Sequence, residues 1–150
     1  HHRGSEEQQP GQAYCDPDLI DKNSGRIDTF DVFRNTIEQA GLEYTVVPVV
    51  SHSRTVAQHW ATPLSLVFID GGHTYKAAFT DYNAWAGHVI PGGYLIIHDI
   101  FFDPAEGGQA PRTIYELACR SGLFENQGVL KTLAVLKRRD GLLMPDDLPE

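Results

Sequence analysis

The chain is poor in cysteine, in basic residues and in long apolar runs, and each scarcity removes a class of protein. Its two cysteines, Cys15 and Cys119, stand far apart and outside any Cys-x-x-Cys pair, which excludes a disulfide scaffold and a zinc ribbon. Lysine and arginine number 12 against 20 aspartates and glutamates, a formal net charge of -8, so no extended positive surface for nucleic-acid phosphates is expected. No apolar stretch approaches the roughly 20 residues that cross a bilayer, and no signal-peptide pattern opens the chain. The expectation is a cytoplasmic protein with neither nucleic acid nor membrane as partner. What is present, 150 residues with 41% hydrophobic and 21% charged, is the balance of one ordinary globular domain around one core.

His1-His2-Arg3-Gly4-Ser5 has the look of a tag and linker, so residues 1–11 are set aside as a disordered lead. The domain is expected over 12–141, with 142–150 as a frayed tail. Gln12 to Cys15 reads as a weak strand ended by Asp16-Pro17. Asp28 can cap a helix in which Phe30, Phe33, Ile37 and Ala40 recur at helical spacing before Gly41. Tyr44 to Val50 is rich in β-branched residues and carries Pro48, which predicts an edge strand. A short helix follows Ser51-His52-Ser53, with Val56, Ala57 and Trp60 on one face. Leu64 to Ile69 is a near-continuous apolar run, the pattern of a strand covered on both faces in a parallel sheet.

That run stops at Asp70-Gly71-Gly72. Thr74 can cap the next helix, whose Tyr75, Ala78, Phe79, Tyr82 and Trp85 fall on one stripe. Pro91-Gly92-Gly93 breaks the chain before a second buried run, Tyr94 to Ile97, which ends at His98-Asp99. A glycine-rich loop over 103–109, a helix over about 112–120 and a last strand over 131–138 complete the order. Strands alternating with helices predict a doubly wound, mostly parallel α/β sheet, whose ligands bind beyond the carboxyl ends of the strands.

Asp70 and Asp99 each follow a buried strand, and one crossover helix separates them, which places both carboxylates on one rim. Carboxylates brought together there repel unless a cation or a proton lies between them. Oxygen ligands suit magnesium, calcium or manganese, and an imidazole from His98 or His73 tilts the choice towards manganese, iron or zinc. The alternative is that each aspartate caps the turn or helix after it, with no metal. His73, three residues beyond Asp70, can take a proton from a bound hydroxyl or close the Gly71-Gly72 turn through a hydrogen bond. Asp16 can accept hydrogen bonds from ribose hydroxyls or serve its own Asp-Pro turn. Phe101 and Phe102 are core or the wall of a pocket.

The run Leu66-Val67-Phe68-Ile69-Asp70-Gly71-Gly72-His73-Thr74-Tyr75, then Asp81, Trp85, Pro91-Gly92-Gly93 and Ile96-Ile97-His98-Asp99, resembles the class I S-adenosylmethionine-dependent methyltransferases. Within them it resembles the branch of metal-dependent sugar O-methyltransferases and cephalosporin-biosynthesis proteins. The likeness runs from about Gln12 to Arg138. It implies a Rossmann-like sheet, S-adenosylmethionine as cofactor, and a divalent metal, magnesium or manganese. It also implies Asp16 at the cofactor ribose, Ser51, His52 and Ser53 near its adenine, Asp70, His98 and Asp99 as metal ligands, and His73 as catalytic base. Histidine stands at position 98 where that branch has an acid.

The same resemblance implies a first strand and a Gly-x-Gly-type loop ahead of the ribose acid, and no such segment precedes Gln12. A partial domain that binds S-adenosylmethionine weakly or not at all is therefore expected. A fragment, a longer parent chain, a partner that fills the gap or a rearranged sheet would each account for this. The function implied is methyl transfer to a hydroxyl of a small molecule or sugar. A non-catalytic binding or interaction domain and metal-assisted hydrolysis are the competing readings, and homo-oligomerisation is left open.

Overall fold

The computed structural model of the protein describes residues 2–141. The chain divides into two compact units, His1–Val56 and Ala57–Glu150. The expected 142–150 tail lies outside the described residues.

The first unit is held by turns and caps. Ile27 is its one buried residue among those described, and an isolated antiparallel bridge joins it to Ile20. Residues set aside in the sequence reading take part: Arg3 pairs with Asp28 at 3.3 Å, and the His2 carbonyl accepts from the Thr29 amide. Helix α1, Phe30–Gln39, forms as its apolar spacing predicts. Thr29 is its N-cap residue, but the side chain that accepts a hydrogen bond there is Asp28, from the Phe30 amide at 2.9 Å. Two expected strands do not form. Gln12 to Cys15 is a run of turns, and Tyr44 to Val50 has no ladder partner; Tyr44 is fully exposed and Val47 81% exposed. β-propensity reflects packing on a pleated, half-buried surface, and without a neighbouring strand it specifies nothing. Helix α2, Ser53–Gln58, spans the boundary between the units.

The second unit is built on a sheet of four strands: β1 Leu64–Ile69, β2 Val89–Ile97, β3 Phe124–Leu130 and β4 Leu133–Arg138, in the order β1-β2-β4-β3. β1 and β2 are parallel, joined through helix α3, Tyr75–Trp85, as a crossover requires. The other two pairings are antiparallel, so the sheet is mixed, where a mostly parallel one was expected. The cause is a hairpin. β3 and β4 turn at Lys131-Thr132, with Lys131 at φ 56°, inside the stretch read as the start of the last strand. β3 escaped the sequence reading because Glu125-Asn126-Gln127-Gly128 looks like a polar turn, whereas it holds an irregularity in the ladder between Asn126 and Gly128.

The register puts Val67, Ile69, Leu95, Ile97, Ala134 and Leu136 on one face, all buried. Ala78 and Tyr82 of α3 and Ile114, Tyr115 and Ala118 of helix α4, Ala110–Arg120, join this core, as do Ala86, Val89, Ile100 and Phe124. Burying a leucine such as Leu95 there stabilises the fold by roughly 1.5–3 kcal/mol. Both α3 and α4 pack on that one face. On the opposite face Leu66, Phe68 and Tyr94 are exposed. Tyr75 and Phe79, assigned to the buried stripe of α3 by spacing, are exposed and stack on each other at 5.8 Å.

Pro91-Gly92-Gly93 lies within β2 rather than breaking the chain before it. A β-carbon on Gly93 would stand 2.8 Å from the Ser65 carbonyl oxygen and 2.9 Å from that of Ile90. Only glycine lets β2 approach β1 at that point, where the ladder between the two strands shifts register.

Candidate functional site

β1 and β2 end side by side, with Ile69 paired to Ile97, and the His98 amide extends the pairing by donating to the Ile69 carbonyl at 3.1 Å. Asp70 and His98 thus leave the sheet together. The next residue, Asp99, has φ 59°, a left-handed conformation that aspartate tolerates better than most residues. Beyond it the Ile100 amide donates to the Thr132 carbonyl and the Ile100 side chain is buried. Asp99 is fixed on both sides while its backbone turns sharply.

After Asp70, Gly71-Gly72 brings the chain round to His73, and Thr74 then opens α3, its hydroxyl accepting from the Ala77 amide at 3.2 Å as its position predicts. A β-carbon on Gly71 would come within 2.7 Å of Asp81 Oδ2, so a carboxylate of α3 fills the space beside the loop. Asp81 entered the sequence reading only through the resemblance. A single aspartate in the middle of α3 is too weak a signal to interpret alone.

These elements bring four side chains together. His73 Nε2 lies 2.8 Å from Asp99 Oδ2, and His98 Nδ1 lies 2.9 Å from Asp70 Oδ1 and 3.4 Å from Asp99 Oδ1. Acid and imidazole alternate along the set Asp70, His98, Asp99, His73. Side-chain exposure runs from 22% at Asp99 to 45% at Asp70, so the cluster is a rim open to solvent. The Phe68 ring flanks His98, with 6.3 Å between ring centres.

The donor set fits a divalent cation. One ligand atom each from Asp70, His73 and Asp99 lies within 4.8 Å of the others. Donors about 2.0–2.6 Å from a common ion fall at such mutual distances. Spacing left either imidazole open as a ligand, and the resemblance implied His98 as ligand and His73 as base. In the structure His73 belongs to the compact trio, and His98 joins the carboxylates from the flank.

The remaining predicted residues lie in the first unit. Asp16 is the N-cap of a short 3-10 turn, Pro17–Leu19, where its Oδ1 accepts from the Asp18 amide at 3.0 Å. The strand that would have placed it at a sheet edge is not formed. Ser51 and His52 precede α2 and Ser53 begins it, again with no strand before them.

The loop after Asp99 is more built than its glycine content suggested. The Gln109 side-chain amide donates to the Phe101 and Gly107 carbonyls, both at 3.1 Å, and Arg112 Nη1 donates to the Phe102 carbonyl at 2.7 Å. The Arg112 guanidinium also lies over the exposed Phe102 ring, 5.4 Å from its centre. The loop returns to the cluster at Gly108, where a β-carbon would lie 3.9 Å from His73 Cβ.

Residues 11–100 match the family described as a methyltransferase domain, and the chain belongs to that family.

Proposed function

We propose that the protein takes part in S-adenosylmethionine-dependent, metal-assisted methyl transfer to a hydroxyl of a small molecule or sugar. The observation that carries this reading is the cluster of Asp70, His73, His98 and Asp99 at the shared end of β1 and β2. S-adenosylmethionine, when bound, supplies the sulfonium methyl that an acceptor oxygen takes. A divalent cation at the Asp70, His73 and Asp99 trio supplies positive charge that lowers the cost of deprotonating that hydroxyl.

The chain's own residues do the rest. The carboxylates are fixed by the strand ends and by the turn at Asp99, so little reorganisation is needed when the acceptor arrives. An imidazole of the cluster takes the hydroxyl proton on a ring nitrogen within reach of the bound acceptor. The loop over 100–109 bounds the cluster on the side of His73. Asp16, Ser51, His52 and Ser53 are kept as the candidate contacts for the cofactor's ribose and adenine.

The test is S-adenosylhomocysteine release by the full-length protein with manganese and a panel of phenols and sugars. The expected result is release that depends on acceptor and falls at least about a hundredfold in Asp99→Asn. Tight binding of a panel member without release, at any metal concentration, would favour the non-catalytic binding reading.

A further inference from the structure

Resting on the methyl-transfer reading above, we propose that the acceptor hydroxyl is borne on a flat apolar ring, a phenol or naphthol rather than a sugar. Phe102 and Phe68 are the residues that select it.

Phe101 and Phe102 are adjacent residues of one type with opposite fates. The Phe101 ring turns into the loop, where a β-carbon on Gly107 would overlap it. Phe102 stands outward, 57% exposed. That position is built: Arg112 Nη1 donates to the Phe102 carbonyl at 2.7 Å, and the guanidinium lies over the ring, 5.4 Å from its centre. Arg112 is itself braced, its Nε donating to Glu116 Oε1 at 2.9 Å. A ring held in water forgoes the gain of burial, and a flat apolar ligand that covers it restores that gain.

The loop that carries Phe102 leaves the cluster at Asp99 and returns to it at Gly108, beside His73. Next to His98 stands Phe68, 51% exposed, its ring centre 6.3 Å from that of the imidazole. Aromatic walls around a few convergent polar groups are what small-molecule sites present. The loop's polar side chains favour a ring over a sugar. Asp103 Oδ1 accepts from the Ala105 amide at 2.9 Å, Gln109 Nε2 donates to two loop carbonyls, and Gln109 Oε1 accepts from Arg112 at 3.4 Å. Spent on the loop itself, they leave Glu106 as the one polar side chain of 101–109 without a hydrogen bond among the described residues. A sugar brings several hydroxyls that need partners once desolvated, whereas a phenol brings one, which the cluster takes.

The experiment titrates naphthol into the full-length protein with manganese present, read by naphthol fluorescence, and uses methyl glucoside as competitor. Release of S-adenosylhomocysteine is measured with each compound in parallel. Naphthol should bind at least about tenfold more tightly than methyl glucoside. Phe102→Ala and Phe68→Ala should each weaken naphthol about tenfold and shift glucoside competition under about twofold. Phe102→Tyr, which keeps a ring, should recover most of what Phe102→Ala loses, a rescue that a loss of folding would not show. Naphthol binding unchanged in both alanine variants, or glucoside bound more tightly than naphthol, would overturn the acceptor class and leave methyl transfer standing. Naphthol bound through Phe102 without release of S-adenosylhomocysteine would overturn methyl transfer while the selection of a flat ring stands.

Discussion

The two units of this chain use the same residue types to different ends. In the first, Val47, Val49 and Val50 lie exposed without ladder partners, and side chains bonded to nearby backbone contribute order. In the second, comparable runs in β1, β2 and β4 pair with one another and bury Leu95, Ala134 and Leu136 completely. Hydrophobic pattern thus becomes structure where a partner exists to receive it. The candidate site grows out of the unit where it does.

The largest test of that contrast removes volume from each unit. Leu95→Ala should cost about 2–5 kcal/mol, since a fully buried side chain on a central strand leaves a cavity, and Val47→Ala under about 0.5 kcal/mol. Urea midpoints would read both. Equal shifts would break the comparison.

Gly93→Ala comes next, at roughly 1–3 kcal/mol, because the atoms a β-carbon meets are carbonyl oxygens of the strands and cannot swing aside. A neutral result, with β1 and β2 still paired by amide exchange, would mean that the register shift relaxes freely. Thr74→Ala should cost about 1 kcal/mol through loss of the α3 cap. Asp16→Ala, at the cap of a three-residue turn in the first unit, should cost less by the same measurement, and a reversed order would contradict the contrast.

The smallest effect concerns acid. Hydrogen bonds from Ser24 hold the Asp21 carboxyl below its ordinary pKa of 3.8. A lowered pKa in the folded chain means that the contribution is present above 3.8 and is lost as pH falls through the lowered value. Carboxyl carbon shifts followed from pH 6 to about 2 should show Asp21 titrating below a free aspartate, and its loop opening before the sheet amides of β2 exchange. A midpoint at or above 3.8 would remove this loop from the account.

Much of the second unit was legible. Leu64 to Ile69 announced a strand, Thr74 a cap, and Asp70 and Asp99 their common rim, because each rests on local chemistry or on the handedness of a parallel crossover. Less legible was anything decided by a distant partner. The pairing of β4 with β2 made the sheet mixed, and the Asn126–Gly128 irregularity hid a strand in polar residues. Spacing along the chain named the four cluster residues, yet which imidazole meets which carboxylate followed from the turn at Asp99, and a left-handed aspartate leaves no mark in sequence.

Gly71 and Asp81 impose a rule on how this protein can diverge. The space a side chain at 71 would need is taken by the carboxylate at 81, 2.7 Å from where its first carbon would stand. That oxygen is the far end of a rotatable side chain, so a larger residue at 71 becomes acceptable once Asp81 turns aside or shortens. Across related sequences the pair should vary together, so that a contact between loop and helix can be read as a correlation in an alignment.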